Sequence, residues 1–369
     1  MTPSDSTPES APDGTDPPGL RMGPLRAYLA AALPDAEVDL PLSARLLAGG
    51  RSNVSYVLTQ GDRSWVLRRP PLGHVMATAH DMRREHKVLS GLARVGFAAP
   101  TPLALCHDEK VIGAPFMVME FVSGRVIATA DDAASLTAVD ASTLCGEMVD
   151  KLAELHEVNV AAAGLGQLGR PEGYLTRQVR RWGRQWEVTK TRELAGVGKL
   201  SAWIERRVDV LPASMPFSVV HGDYRLDNLI ISPATVGISA VLDWEMSTLG
   251  DPVADLAVAL VYWSRPGEQL RHRVPVANGV TDGPGFWDRS ALVSSYAQQS
   301  GRDLSHLDIC LALACFKLAV IMESIHYRSV HGHQLGAAAL DIGGMADAAD
   351  ALVELGHAVT TGGLDALSR

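Results

Sequence analysis

The sequence predicts an α+β protein of two lobes, a small β-rich amino-terminal lobe followed by a large, mostly helical one. Three observations carry that expectation. The 369 residues exceed one ordinary core and suit two bodies of roughly 100 to 200 residues. Short runs of strand character, Val54–Thr59, Trp65–Arg68, Thr101–Cys106 and Pro115–Phe121, crowd the first third, whereas long segments of helical periodicity fill the rest. Among those segments lies one exception, Phe217–Asp255, where the apolar runs Phe217–Val220 and Ile238–Leu242 each end in a polar cluster.

Composition narrows the function classes. The chain is 47% hydrophobic and 20% charged, the balance of a globular protein, with a net charge of −9 and a pI near 5.7. Nucleic acid and anionic membrane surfaces are therefore not expected partners, since either needs a basic patch against phosphates. A cationic small molecule stays open. Cys106, Cys145, Cys310 and Cys315 show no CxxC or finger spacing and read as free buried thiols of a reduced cytosol; no structural metal is expected, at His326, His331 and His333 either. Residues 1–20, rich in Pro, Ser, Thr and Asp, read as a disordered tail without signal-peptide character. The apolar run Ile309–Met322 is short for a bilayer and contains Lys317, so it reads as a buried helix. A soluble cytoplasmic monomer or homodimer is expected.

Residues 21–122 form the first expected lobe. Leu47–Asn53 is a turn-rich segment before the strand at Val54, and Gly61-Asp62 marks a hairpin into Trp65–Arg68. A glycine-containing hairpin lets backbone N–H groups approach phosphates, which makes Ser52 and Asn53 candidates for that contact. Alternation puts Arg68 on one face with Val66 and Arg69 on the other, where its loss is expected to be nearly silent for nucleotide binding and turnover. Ala77–Ala93 has the apolar spacing of an amphipathic helix.

Residues 123–369 form the second. Helices are expected at Ala133–His156, Arg177–Leu194 and Leu200–Val210, then at Trp287–Gln299, Leu307–Tyr327 and Leu335–Leu355, the last three walling an acceptor pocket. His156 reads as a helix-end histidine beside the C-terminal dipole. Asp251 before Pro252 reads as a helix N-cap.

The chemistry concentrates in Phe217–Asp255. Asp223 follows one strand, Asn228 lies five residues on, Leu229–Ile231 is another strand, and Asp243 ends the next, so three oxygen ligands converge. Mg²⁺ takes carboxylate and amide oxygens, which suits Asn228 and Asp243 as metal ligands. A separate carboxylate must take the proton of an attacking hydroxyl, and Asp223 stands five residues before the amide, as in the protein-kinase catalytic loop.

His221-Gly222-Asp223-Tyr224-Arg225-Leu226-Asp227-Asn228 followed by Leu242-Asp243-Trp244-Glu245 resembles the aminoglycoside phosphotransferase-like kinases, a family that includes choline kinases, over about residues 25–330. The resemblance implies a bilobal protein-kinase-like fold, ATP and Mg²⁺ as cofactors, and transfer of the γ-phosphoryl group to a hydroxyl of a small molecule. It assigns catalysis to Asp223 with His221 and Asp255, the last fixing His221 or backbone N–H groups behind the loop. It puts Arg68 where kinases carry a phosphate-binding lysine, Glu85 as its helix partner, and Glu120 and Val122 in a hinge whose backbone binds adenine. The YRLDN loop, with Val66–Arg69 before Pro70-Pro71, looks closer to kinase-like domains related to acyl-CoA dehydrogenase fusions, which implies a hydroxy-acid or acyl-CoA-linked acceptor beside the aminoglycoside-like ones. Arg68 in place of lysine motivates a rival, a nucleotide-binding module with little or no turnover. A protein kinase is disfavoured because only twelve residues separate Asp243 from Asp255, with no APE-type segment.

Overall fold

A computed structural model describes residues 16–47, 53–72, 81–212, 214–331 and 342–368. The chain divides into two compact units, one running to Ser90 and including Pro100–Phe121, the other comprising Gly91–Ala99 and Val122 onward.

In the first unit, α1 (Met22–Ala32) precedes β1 (Ser43–Leu46), β2 (Val54–Gln60) and β3 (Arg63–Arg69); α2 (Met82–Arg94) then leads to β4 (Pro102–Cys106) and β5 (Phe116–Glu120). The strands make one antiparallel sheet in the order β1-β2-β3-β5-β4. The β2–β3 hairpin turns at Gly61-Asp62, with Gly61 at φ 57°, a left-handed conformation that costs glycine little. Tyr56, Leu58, Trp65, Leu67, Phe116 and Val118 are buried with Leu25 and Leu29 of α1, four residues apart on one helix face. Each such leucine contributes about 1.5–3 kcal/mol when fully buried.

Two expectations change here. Residues 1–15 of the expected tail lie outside the described residues, and residues 16–20 are not a loose end: Leu20 is buried and the Pro18 carbonyl accepts from the Tyr56 hydroxyl. Arg69 is not a solvent-facing spare. It shares the buried face with Trp65 and Leu67, and its guanidinium donates to the carbonyls of Gly19 and, at 3.1 Å, Pro70. Alternation separates the two arginines correctly, but the far face is covered by the segment before α1.

The second unit is mostly helical. α3 (Ala130–Ala133), α4 (Ala138–His156), α5 (Tyr174–Thr189) and α6 (Val197–Val208) lead to β6 (Ser218–Val220), β7 (Leu229–Ile231), β8 (Ile238–Val241) and β9 (Thr248–Gly250). Then follow α7 (Pro252–Tyr262), α8 (Gln269–His272), α9 (Arg289–Ser300), α10 (Leu307–Val330) and α11 (Ile342–Gly362). The helix expected from Ala133 starts afresh at Ala138 because Thr137 and Asp140 close a capping box, each side chain bonding the other's backbone N–H.

α10 is the core of this unit and packs on α5, α6, α7 and α11. It extends beyond the apolar run seen in the sequence and is, by length and composition, long and apolar enough to cross a membrane. Here 83% of that apolar window is buried inside the fold, which marks it as a core helix. Its buried charges have partners: Glu323 Oε1 accepts from Thr191 N–H and Oγ1, both at 2.7 Å, and Lys317 donates to the Gly222 carbonyl. All four cysteines are buried free thiols.

Candidate active site

The second unit assembles its polar centre from two small antiparallel ladders. β6 pairs with β9, and β7 with β8, so that Leu229 faces Val241. Asn228 and Leu242 continue that register: the Leu242 N–H donates to the Asn228 carbonyl at 2.8 Å, and Asp243 follows directly. The His221 Nε2–H donates to the Leu242 carbonyl at 2.7 Å while Nδ1 accepts from the Asp223 N–H at 3.1 Å, one tautomer serving both bonds. Strand pairing thus brings together residues far apart in the chain.

Asp255, on the first turn of α7, holds this loop from behind. Its Oδ2 accepts from the His221 N–H at 2.5 Å and its Oδ1 from the Gly222 N–H at 2.7 Å. His156, the last residue of α4, lies 3.3 Å from the same Oδ2 and 2.6 Å from the Tyr296 hydroxyl, buried throughout. Gly222 sits at φ 85°, and a Cβ there would come within 2.8 Å of the Met246 carbonyl oxygen, so no other residue fits the turn without backbone movement.

Asp223 itself is held on one edge. Its Oδ2 accepts from Arg225 Nε at 3.1 Å, and Asn228 Nδ2 donates to its carbonyl at 2.8 Å, with a weaker approach to Oδ2 at 3.4 Å. That orientation turns the Asn228 amide oxygen away, an acceptor fit for a cation. Burial alone would push the Asp223 carboxyl up; the charges of Arg225 and Lys317, with His221, outweigh it and hold the group below its ordinary value. It is therefore a carboxylate at neutral pH. Asp243 is one of two non-glycine residues at positive φ among the described residues, at φ 64° and ψ 64°. Such a conformation costs about 1–3 kcal/mol and collects at functional sites, where the surroundings over-determine it.

In the first unit, Arg68 Nε and Glu85 Oε2 form an ion pair at 3.0 Å, the carboxylate side chain only 3% exposed. Replacing Arg68 by alanine is expected to remove one charged partner of that buried carboxylate and lower stability by on the order of 3 kcal/mol. Lysine should recover part, since it offers a point charge in place of a planar fork. Arg69→Ala is expected to cost about 1–3 kcal/mol of stability, because the Gly19 carbonyl loses its donor. Urea unfolding midpoints of the three variants rank these effects.

The remaining candidates divide. Asn53 is buried at the start of β2, and Ser52 lies outside the described residues. Glu120 ends β5 with its N–H donated to the Thr101 carbonyl at 2.9 Å, which removes that donor from a base; Val122 follows in the second unit, half-buried. Sequence reasoning missed the supporting roles of Arg225 and Lys317. Arg225 could have been suspected, as a cation two residues from the candidate acid Asp223; Lys317 is 95 residues from its partner Gly222 and gives no local signal. Asp251, His306 and Cys310 also come together, but Asp251 caps α7 through Val253 N–H at 2.9 Å and binds His306 Nε2 at 2.8 Å, a closed structural arrangement.

With this geometry in place, residues 43–289 match the phosphotransferase enzyme family. The chain is 33% identical over 321 residues to acyl-CoA dehydrogenase family member 11 of Gallus gallus, an alignment that takes in 85% of this chain and 40% of that protein. It therefore spans well under half the length of this relative. A crystal structure from Ralstonia eutropha JMP134, of a protein named for the aminoglycoside phosphotransferases, superposes with a TM-score of 0.73 at 32% identity, covering 90% of this chain and 97% of that one. A choline kinase from Cryptosporidium parvum shares the fold at a TM-score of 0.62 and 14% identity, covering 92% and 95%.

Proposed function

Because the chain belongs to the phosphotransferase enzyme family, we propose that it is a small-molecule kinase moving the γ-phosphoryl group of ATP to a hydroxyl on a hydroxy acid or its acyl-CoA-linked form. The observation that carries the reading is the loop itself: a half-buried, ionised Asp223 on a turn braced from behind by Asp255 and bonded to Asn228, with Asp243 one strand away. Mg²⁺ would be held by the hard oxygens of Asn228 and Asp243, where it would neutralise phosphate charge. In phosphoryl transfer the attacking oxygen needs little base strength until late, so an acid with a low pKa serves by orienting the hydroxyl and taking its proton at the end. Arg68, steadied by Glu85, would bind nucleotide phosphate.

One observation favours the acyl-type acceptor over a polycationic aminoglycoside: the relative that aligns over most of this chain carries an acyl-CoA dehydrogenase name.

The test is Mg²⁺-dependent ADP formation against hydroxy acids, their CoA thioesters, choline and aminoglycosides, with phosphorus NMR of the product. A phosphomonoester on the hydroxyacyl compounds is expected. Binding of ATP with no transfer to any hydroxyl would instead support the second reading, a nucleotide-binding module, which the arginine at position 68 motivates. Within the kinase reading, Asp243→Asn is expected to weaken Mg²⁺-dependent nucleotide binding more than Asn228→Ala does, since the first removes a charge and the second a neutral donor; calorimetric titrations give the order.

A further inference from the structure

We infer that Arg225 is a positioning residue that selects which oxygen of Asp223 receives the acceptor's proton; this rests on the kinase reading above. Its guanidinium reaches both neighbouring acids, Nε to Asp223 Oδ2 at 3.1 Å and Nη1 to Asp227 Oδ2 at 2.7 Å, while its plane lies 5.1 Å from the Tyr262 ring centroid. Three partners on three sides leave it one position. Lysine could satisfy one acid but not fork between two.

The consequence falls on Asp223. Oδ2 is occupied by Arg225 and approached by Asn228, whereas Oδ1 has no hydrogen-bond partner among the described residues. Oδ1 is then the oxygen that faces the reaction. The acceptor O–H gives its proton to Oδ1 as the hydroxyl oxygen bonds the γ-phosphorus, and the bond from that phosphorus to the β,γ-bridging oxygen breaks to release ADP. Without the fork, the carboxylate can rotate about its terminal torsion, a broad and nearly two-fold well. A rotated acid misses the hydroxyl, and small misplacements at the reacting atoms cost rate steeply.

The experiment compares Arg225→Gln, Arg225→Lys and Asp223→Ala with the double variant carrying Asp223→Ala and Arg225→Gln. Arg225→Gln is expected to lower kcat about 10- to 100-fold with the KM for ATP within about two-fold, and Arg225→Lys to recover part of the loss. Because Arg225 acts through Asp223, the double variant should be no slower than Asp223→Ala alone. A further loss in the double variant, or wild-type kcat in Arg225→Gln, overturns the inference. Crystal structures of wild type and Arg225→Gln supply a readout free of turnover: the Asp223 carboxylate should leave its present orientation in the variant, and an unmoved carboxylate defeats the assignment. A wild-type protein that phosphorylates no hydroxyl would defeat the kinase reading instead, so the two failures are distinct.

Discussion

Asp223→Ala is expected to lower phosphoryl transfer by at least 10²-fold while nucleotide affinity stays near wild type. The expectation follows from what the carboxylate touches: Arg225 Nε at 3.1 Å and Asn228 Nδ2 at 3.4 Å, both on its Oδ2. General acid–base groups typically contribute 10²- to 10⁴-fold, and on the kinase reading Asp223 is the group proposed to take the acceptor's proton. Alanine also releases Arg225 from one of its acids, so unfolding must be measured beside turnover. A variant that folds, binds ATP with Mg²⁺ as tightly as wild type and has lost transfer meets the expectation; one that keeps full kcat removes Asp223 from the mechanism.

Replacing Asp255 should have the larger effect on stability. One fully buried carboxylate accepts from two consecutive backbone N–H groups and from His156, and alanine would leave those donors unpaired in the interior. Losing one partner of such a network costs about 3–5 kcal/mol, a large share of a typical domain's total. Burial by itself would raise the Asp255 carboxyl; the hydrogen bond from His156 and the N–H of Gly222 hold it below its ordinary 3.8. Burial also keeps the His156 imidazole below its own ordinary value, so at neutral pH the pair is a carboxylate with a neutral ring, and the hydrogen bonds carry the effect. A depressed acid adds stability that is fully present above its unfolded pKa and is lost as pH falls through the lower folded value. The increment should therefore survive at neutral pH and vanish only in acid, below 3.8. Urea midpoints of wild type and Asp255→Asn from acid to neutral pH check this: the gap between them should narrow at the acid end.

Much of this site was legible because its signals are local. Asp223, Asn228 and Asp243 announce themselves as polar residues at the ends of apolar runs, and the strands β6, β7 and β8 fall where those runs lie. Arg68 and Glu85 were paired by order along the chain, and the ion pair is present. What escaped depends on contacts no periodicity reports. β1 and α1 lie in a stretch without clear alternation, and their place is decided by pairing with β2 and by Leu25 and Leu29 meeting the sheet. Arg69 and Arg68 are the same residue type in adjacent positions, and only the tertiary cover on each face tells the structural one from the candidate phosphate ligand. Lys317 looks like a fault in an apolar helix until its carbonyl partner, supplied by a loop 95 residues earlier, is seen.

That lysine ties two timescales together. A loop at an active site usually opens on its own, well below the free energy of global unfolding. Here the Gly222 carbonyl is fastened to α10, the central helix of its unit, and the N–H groups of His221 and Gly222 are closed off by Asp255. Opening the loop therefore means disturbing the packing that keeps the whole unit folded, so its amide protons should exchange with those of the core. Mutational drift in α10 that changes heat resistance would, by the same connection, retune turnover; acceptor preference is freer to diverge in the elements that hold no part of this fastening.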